Sequence, residues 1–350
     1  MSKPWSEKEI TGILADPDPK LLDELLQAAD SCRRENIGTG VYLRGLIEFS
    51  NICSCNCYYC GIRKDNKNLH RYRLSSEEMV SLAMSAFDSG FHSLALQSGE
   101  VRSCREVSDL ASTIRIIKEK SRKKDQTGQG LGITLSVGNL TSEQYQELWE
   151  AGAHRYLLRI ETSDPKLFSC IHPPEQSFDE RLRCLDDLKR IGYQVGTGVM
   201  IGLPGQTVAQ LAADLRFFVD RDIDMLGMGP YITHPDTPLA KKPAADFDPF
   251  TTSLKMIAIA RLLMPDINIV ASTALQTISP RGLELGLKAG ANVLMPIMTP
   301  DDKRSEYSLY TDKKFTPHEQ LIEQIRGYGY EVGLWTWGDS KHYAARKRLE

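Results

Sequence analysis

The feature that most constrains this chain is an alternation that begins near residue 41 and runs for 256 residues, to 296. Short β-prone runs are separated by longer stretches with the apolar period of a helix. The β-prone runs are VYLRGLIEF (41–49), HSLALQS (92–98), GITLSV (132–137), RYLLRIET (155–162), QVGTGVMIG (194–202), DMLGMGPYI (224–232), INIVAST (267–273) and NVLMP (292–296). Helical patterns fill the intervals at 75–90, 105–120, 141–152, 178–191, 207–221, 251–264 and 280–289. The first of these opens on Ser75 and closes on Gly90, residues suited to a helix start and stop. Strands spaced by helices of this length build a parallel sheet from βαβ units. Eight of them within about 250 residues are what a closed TIM-type barrel requires; a doubly wound open sheet is the alternative. The expectation is an α/β chain whose (β/α)8 barrel occupies 38–298. Residues 1–37 would form an N-terminal helical segment, with helices near 6–15 and 18–35. Residues 299–350 would form a C-terminal extension closing the barrel, with a helix near 316–327 and a short strand at 330–335. The charged stretch 118–130 reads as an exposed loop.

Composition removes several classes. Lys plus Arg is 43 and Asp plus Glu is 46, a net charge of −3. No basic excess draws the chain to nucleic acid or to an anionic membrane. No apolar run reaches the roughly 18 residues of a membrane span, and the N-terminus lacks the apolar core of a secretory signal. Of eight cysteines, Cys53, Cys55, Cys57 and Cys60 fall together, while Cys32, Cys104, Cys170 and Cys184 stand singly. A disulfide framework spreads its cysteines along a short secreted chain. A tight group in a long one reads as metal or redox chemistry, and a reducing, cytoplasmic compartment is expected.

Three readings of that group compete. Its spacing is Cys53-x3-Cys57-x2-Cys60, just past the end of the first strand, where barrel enzymes build their active sites. A structural zinc site usually takes two well-separated ligand pairs, and this packing leaves little chain to wrap a tetrahedron. A thioredoxin-like pair, Cys57 and Cys60, needs no third cysteine. A cubane iron–sulfur cluster on three thiolates would keep one iron open, as a catalytic metal requires.

CxxxCxxC on the first βα loop of a barrel is the signature of radical S-adenosylmethionine (SAM) enzymes, and this chain resembles them. The resemblance implies a 4Fe–4S cluster held by Cys53, Cys57 and Cys60, with SAM on the open iron. Reductive cleavage of SAM then gives a 5′-deoxyadenosyl radical. Tyr59 stands where the family places an aromatic beside the adenine. Cys55 is additional and would pack beside the cluster. QSGE (97–100) resembles the segment that holds the SAM ammonium, with Gly99 permitting close backbone approach and Glu100 accepting from the ammonium. In RIET, Arg159 and Glu161 are two apart; on a strand they share a face, and a structural ion pair is the bland alternative. By resemblance Glu161 takes the ribose hydroxyls, Arg159 faces the substrate, and Arg181 holds the SAM carboxylate with its planar fork. GTGVMIGLPGQT (196–207) resembles the strand beside SAM. The next strand, through GPYITHPDTPL (229–239), resembles the border of the adenine and contributes Met228, Tyr231 and Ile232. His234 could reach SAM; His92, His154, His172 and His318 read as structural.

From about residue 38 to 340 the chain resembles the biotin-synthase branch, and more narrowly the HydE-type maturases of FeFe hydrogenase. That resemblance implies radical attack on an organometallic Fe(CO)2(CN)–cysteine precursor in a pocket of Ser98, Thr134, Arg159, Ser272, Thr273 and Met295, with Arg159 and Tyr307 at the chemistry. It also implies a low-potential electron donor such as a flavodoxin or ferredoxin, and other hydrogenase maturases as partners. No cysteine follows Cys184, so ligands for a C-terminal second cluster are missing. Methylornithine synthase and biotin synthase are the neighbouring alternatives on this branch. A non-catalytic iron–sulfur carrier would need no Glu100, Glu161 or Arg181.

Overall fold

The computed structural model describes residues 5–101 and 103–348. Two helices come first, Glu7–Ala15 with a Ser6/Glu9 capping box and Pro19–Asn36 capped by Asp18. They lie outside, against the helices Val208–Asp220 and Pro249–Leu263.

Among the described residues, seven parallel strands form one curled sheet. In order these are Gly45–Ser50, Ser93–Ser98, Gly132–Ser136, Ala153–Leu157, Gln194–Thr197, Met225–Leu226 and Asn268–Ile269. The eighth, Val293–Leu294, pairs in parallel with Gly40–Leu43, which runs on into the first barrel strand. Single parallel bridges, Leu46 to Ile297 and Val270 to Val293, join it to the first and seventh strands. Backbone hydrogen bonds complete the ring: Leu46 N–H to the Pro296 carbonyl at 2.8 Å and Asn292 N–H to the Ile269 carbonyl at 2.9 Å. The α/β barrel expected from the alternation is the fold observed.

Strand alternation sorts the side chains. Ile47, Phe49, Leu94, Leu96, Ile133 and Leu135 point outward into the main core beneath the helices. Leu46, Ala95 and Ile297, with Met295 at the edge, form a separate small apolar layer inside the barrel.

Several boundaries differ from the periodicity. The fourth strand stops at Leu157, and Glu161 holds only an isolated bridge to Val199 with φ +67°. The face shared by Arg159 and Glu161 therefore does not arise from strand alternation. The seventh strand stops at Ile269, and Thr273 is the first residue of a helix, Thr273–Ile278. The helix Cys104–Lys124 takes in half of the stretch expected as a loop, because Ile114, Ile117, Lys118 and Ser121 continue its buried stripe. Two further helices, Pro165–Ile171 and Lys341–Lys347, are too short for periodicity to reveal, although each has a capping side chain, Asp164 and Ser340.

The C-terminal extension stoppers the lower end of the barrel. Glu331–Gly333 pairs with Gly40–Tyr42, and the turn after it runs beneath the strands. There the fully buried Arg155 donates to the Trp337 carbonyl at 2.9 Å, to the Asp339 carboxylate, and to the hydroxyls of Ser93 and Thr134 at 2.6 and 2.8 Å. Arg44 and Asn268 both donate to the Gly338 carbonyl, at 3.1 and 2.8 Å.

His342, on the last helix, lies between Asp222 at 2.6 Å and Asp266 at 3.3 Å. Hydrogen bonding to Asp266 is the main cause that lifts its pKa to about 9, with Asp222 adding to it. This value lies above the unfolded one of about 6.5. The protonated ring therefore stabilises the fold fully below about pH 6.5, and the contribution disappears as pH rises through 9. We expect His342→Ala to cost about 1 kcal/mol at pH 6, the half-exposed site being screened by solvent, and nothing above pH 10; urea melts at both pH values check this.

Candidate active site at the barrel mouth

The loop after the first strand is held from within. Arg71 donates to the carbonyls of Asn51, Ile62, Arg63 and Asn66 at 2.6–3.1 Å. Asn51 ties the loop to the extension by donating to the Glu306 carbonyl at 2.9 Å. The cysteines are thus presented on a fixed coil at the upper end of the barrel. Cys53 Sγ accepts the N–H groups of Cys55 and Glu100 at 3.4 and 3.3 Å, and Cys57 Sγ reaches Gln176 Oε1 at 3.2 Å. Cys55 is buried and donates to Glu100 Oε1 at 2.9 Å.

Gly99 makes this arrangement possible. A Cβ there would stand 2.4 Å from the Ile52 carbonyl oxygen and 2.6 Å from Cys53 Cβ. The close approach is to the cysteine loop itself. Glu100 is fixed on its other side by the Asn139 N–H at 3.0 Å. Burial, reinforced by Cys55, pushes its carboxyl up to about 7, against the pull of the Asn139 amide.

Four charged groups alternate around the mouth: Glu100, Arg181, Glu161 and Arg159. Burial alone would lower the Arg181 pKa, but Tyr59, Glu100, Cys57 and Glu161 outweigh it and raise it. Arg181 Nη1 donates to the Arg159 carbonyl at 2.5 Å. Arg159 Nη2 lies 3.1 Å from Glu161 Oε2, close enough for an ion pair but without hydrogen-bond alignment, so both atoms remain unpartnered donors and acceptors. Arg159 Nε and Arg181 Nε are buried and unpartnered as well. Burial raises the Glu161 carboxyl, opposed by Arg159, Arg181 and the Tyr59 hydroxyl.

An apolar shelf adjoins these charges. Leu167, Ile171, Met200, Leu203 and Leu239 form a buried cluster on which Tyr58, Tyr59 and Tyr231 pack. Tyr59 meets His172 edge-on, ring centres 5.4 Å apart, with its hydroxyl 3.3 Å from Nε2. His172 Nδ1 lies 3.0 Å from the Phe168 carbonyl, which assigns the proton to that nitrogen and makes Nε2 the acceptor. Burial and Arg181 press its pKa down to about 3, so the ring is neutral.

The other residues singled out from the sequence are distributed as follows. Met228 is buried in the main core and Ile232 is half-buried beside Tyr231. Ser98 donates to the Gly99 carbonyl at 2.7 Å. Thr134 accepts from Arg155, low in the barrel. Ser272 Oγ is buried and unpartnered; Thr273 and Met295 border a small 30 Å³ void beneath Phe315. Tyr307 is fully buried, with Gln97 beside its hydroxyl. His234 packs at Gly61 beside Cys60, its Nδ1 accepting from Asp236 N–H at 3.2 Å. A surface groove of about 760 Å³ between Ser76–Asp88 and Cys104–Lys124 holds none of these residues.

Sequence reasoning passed over Glu48, Gln97, Lys313 and Gln176. Only Glu48 carried a signal, a lone acid inside the apolar strand LIEF.

Two family models match the chain: the radical SAM superfamily over 47–218 and the biotin and thiamin synthesis associated domain over 206–331. The chain is 47% identical over 291 residues to the FeFe hydrogenase maturase subunit HydE of Thermotoga maritima, covering 83% of this chain and 80% of that one. The chain belongs to the radical SAM superfamily. It is a radical SAM enzyme of the biotin-synthase branch, similar to HydE. It is also 28% identical over 331 residues to a 3-methylornithine synthase of Methanosarcina acetivorans, covering 93% and 90% of the two chains. In fold it matches the crystal structure of methylornithine synthase PylB with TM-score 0.80, at 23% identity over 100% of this chain and 98% of that one. Radical SAM membership implies a 4Fe–4S cluster, SAM, a small-molecule substrate and an electron donor. No helix among the described residues is long and apolar enough to cross a membrane.

The left-handed backbone of Glu161 is unusual for a side chain with a Cβ and costs on the order of 1–3 kcal/mol. We expect Glu161→Gly to be about 1 kcal/mol more stable than Glu161→Ala in chemical melts, since glycine adopts that φ freely. Gly99→Ala should displace the cysteine loop, and iron retained after anaerobic reconstitution should fall well below the wild-type level while the circular dichroism spectrum is kept.

Proposed function

We propose that this enzyme is a HydE-type maturase that cleaves SAM at a cluster on Cys53, Cys57 and Cys60 and acts on an Fe(CO)2(CN)–cysteine precursor of the FeFe-hydrogenase active site. The observation that carries the reading is the 47% identity to a HydE across most of both chains. The geometry is compatible with it.

A single metal ion would need three donors converging on one point, and among the described residues no such group of His, Cys, Asp or Glu occurs. A cubane instead offers each thiol its own iron, so its ligands stand further apart. Contact with Cys55 and burial raise the Cys53 and Cys57 thiols, and burial chiefly lifts Cys60 to about 11. A cationic iron centre reverses that balance. The backbone N–H groups aimed at Cys53 suit a ligating thiolate.

The buried, unpartnered atoms of Arg159, Glu161 and Arg181 fit a zwitterionic, polyhydroxylated ligand such as SAM. Glu100 would hold the ammonium, Arg181 the carboxylate and Glu161 the ribose hydroxyls. Tyr59, Met228, Tyr231 and Ile232 would border the adenine, with Gly99 beside the SAM amino group. When bound, the cluster and SAM supply a 5′-deoxyadenosyl radical. The chain's own part is to hold that chemistry dry and oriented. Arg159 would meet the anionic substrate and Tyr307 would flank the reacting centre. Ser98, Thr134, Ser272, Thr273 and Met295 would line the pocket. A flavodoxin or ferredoxin would deliver the electron, and other hydrogenase maturases would supply and receive the iron species. A methylornithine-synthase-like isomerisation is the second reading, favoured by the buried acid Glu48, which that chemistry needs for a substrate ammonium.

The test is anaerobic: reconstituted protein, SAM and dithionite, with 5′-deoxyadenosine followed by chromatography. Cleavage accelerated by the iron–cyanide–carbonyl–cysteine precursor, with an adenosylated product, is expected. Acceleration by L-lysine in its place would establish the isomerase. In Glu161→Ala, SAM affinity should fall roughly 10- to 100-fold with the cluster spectrum intact; unchanged affinity removes Glu161 from the SAM site.

A further inference from the structure

Asp214 lies in the middle of the helix Val208–Asp220, whose other buried residues, Leu211, Ala212, Leu215 and Phe218, are apolar and belong to the main core. It is fully buried. One carboxylate oxygen accepts twice from a single residue, Ser163, from its N–H and from its hydroxyl, both at 2.6 Å. The other oxygen is buried without a hydrogen-bond partner. Burial pushes the carboxyl up to about 7. The Ser163 donors pull it down, Asp164 pushes it up, and no cation is among the groups acting on it.

A carboxylate in an apolar core without a cation is costly, and an apolar side chain of similar size would fill the helix stripe without that penalty. What Asp214 secures lies two residues from Glu161. The Glu161 N–H and carbonyl are tied to Gly198 and Met200, at 3.0 and 3.2 Å, on the segment that follows the strand Gln194–Thr197. Ser163 is tied to the helix that completes the same βα unit. Only Thr162, itself fully buried, lies between the two anchors. The chain passes from the strand layer to the helix layer within that span, and the reversal falls on Glu161, at φ +67°. The same turn starts the helix Pro165–Ile171. Thr162 Oγ1 accepts from the Asp164 N–H at 3.2 Å, and Asp164 caps the Leu167 N–H at 2.7 Å. Leu167 and Ile171 belong to the shelf on which Tyr59 packs.

We propose that Asp214 is the positioning residue for Glu161: through Ser163 it holds the chain in the left-handed turn that sets the Glu161 carboxylate beside Arg159 at the mouth. That this hold serves SAM rests on the reading of Glu161 as the ribose ligand. Asp214 touches no ligand itself and acts from the far side of the turn.

Two measurements on the full-length chain test this. In urea melts, Glu161→Gly is more stable than Glu161→Ala when the left-handed turn is enforced. That advantage should disappear when Asp214→Leu is added to both variants, and an advantage that persists overturns the proposal. The second measurement is SAM affinity of the reconstituted protein by equilibrium dialysis. Asp214→Leu should weaken SAM roughly 10-fold with the cluster spectrum intact, and should cost nothing further in the Glu161→Ala background. Asp214→Asn keeps the acceptor for Ser163 and should recover most of that loss. An equal loss in both backgrounds, or a loss in Asp214→Asn as large as in Asp214→Leu, overturns the proposal. If Glu161→Ala leaves SAM affinity unchanged, the ribose reading fails by itself, and the melts still decide whether Asp214 holds the turn.

Discussion

The floor of the barrel rests on one guanidinium. Arg155 is fully buried, and its donors reach two hydroxyls, a backbone carbonyl and the Asp339 carboxylate. Removing one partner of such a pair strands a buried charge, at a cost of about 3–5 kcal/mol. Asp339 also accepts from His154 at 3.0 Å, and although burial pushes its carboxyl up, Arg155 and His154 outweigh it and hold it well below the usual range. Through this node the third and fourth strands, the second strand's Ser93 and the C-terminal turn become one unit. A barrel open at the top for ligands needs its other end shut, and here the shutting is polar and specific.

The same extension that plugs the floor returns to the mouth. Between Thr299 and Lys313 it supplies the hydroxyl that accepts from Glu48 N–H, the buried Tyr307 and the ammonium that pairs with Glu48. It also accepts from Gly61 N–H, just past Cys60, at 3.0 Å. The cysteine loop is therefore positioned by three elements: its own Arg71, the glycine at 99 and the extension. Strain sits beside it, at Glu161, where a left-handed residue is held by the N–H to Gly198 and by the Met200 N–H to its carbonyl, 3.0 and 3.2 Å. Such a conformation persists only where surrounding structure over-determines it.

Charge order around the mouth explains why these groups coexist. Glu100, Arg181, Glu161 and Arg159 alternate in sign, so each partly neutralises its neighbours in a site where burial penalises Glu100, Arg181 and Glu161. Yet several of their atoms lack partners. The arrangement is balanced in charge and unsatisfied in hydrogen bonds, which suits a polar ligand more than a self-contained salt-bridge network.

The amino-acid sequence by itself determined the strand–helix alternation, the barrel count, the capped helices and the cysteine spacing, because each is a local pattern read within a few residues. Glu100, Arg159, Glu161 and Arg181 were legible for the same reason, sitting in short segments with a recognisable resemblance. The ends of strands were not: RIET alternates as a strand should, but the chain turns left-handed at Glu161 to bridge Val199. Nor could the sequence show that Thr134 serves Arg155, or that Glu48 meets Lys313. Those contacts join residues 21 and 265 positions apart, and the second spans the whole barrel. Only closure of the ring brings the two ends of the chain together, so the floor, and the pairing of an acid with an ammonium inside the mouth, were decided by tertiary structure.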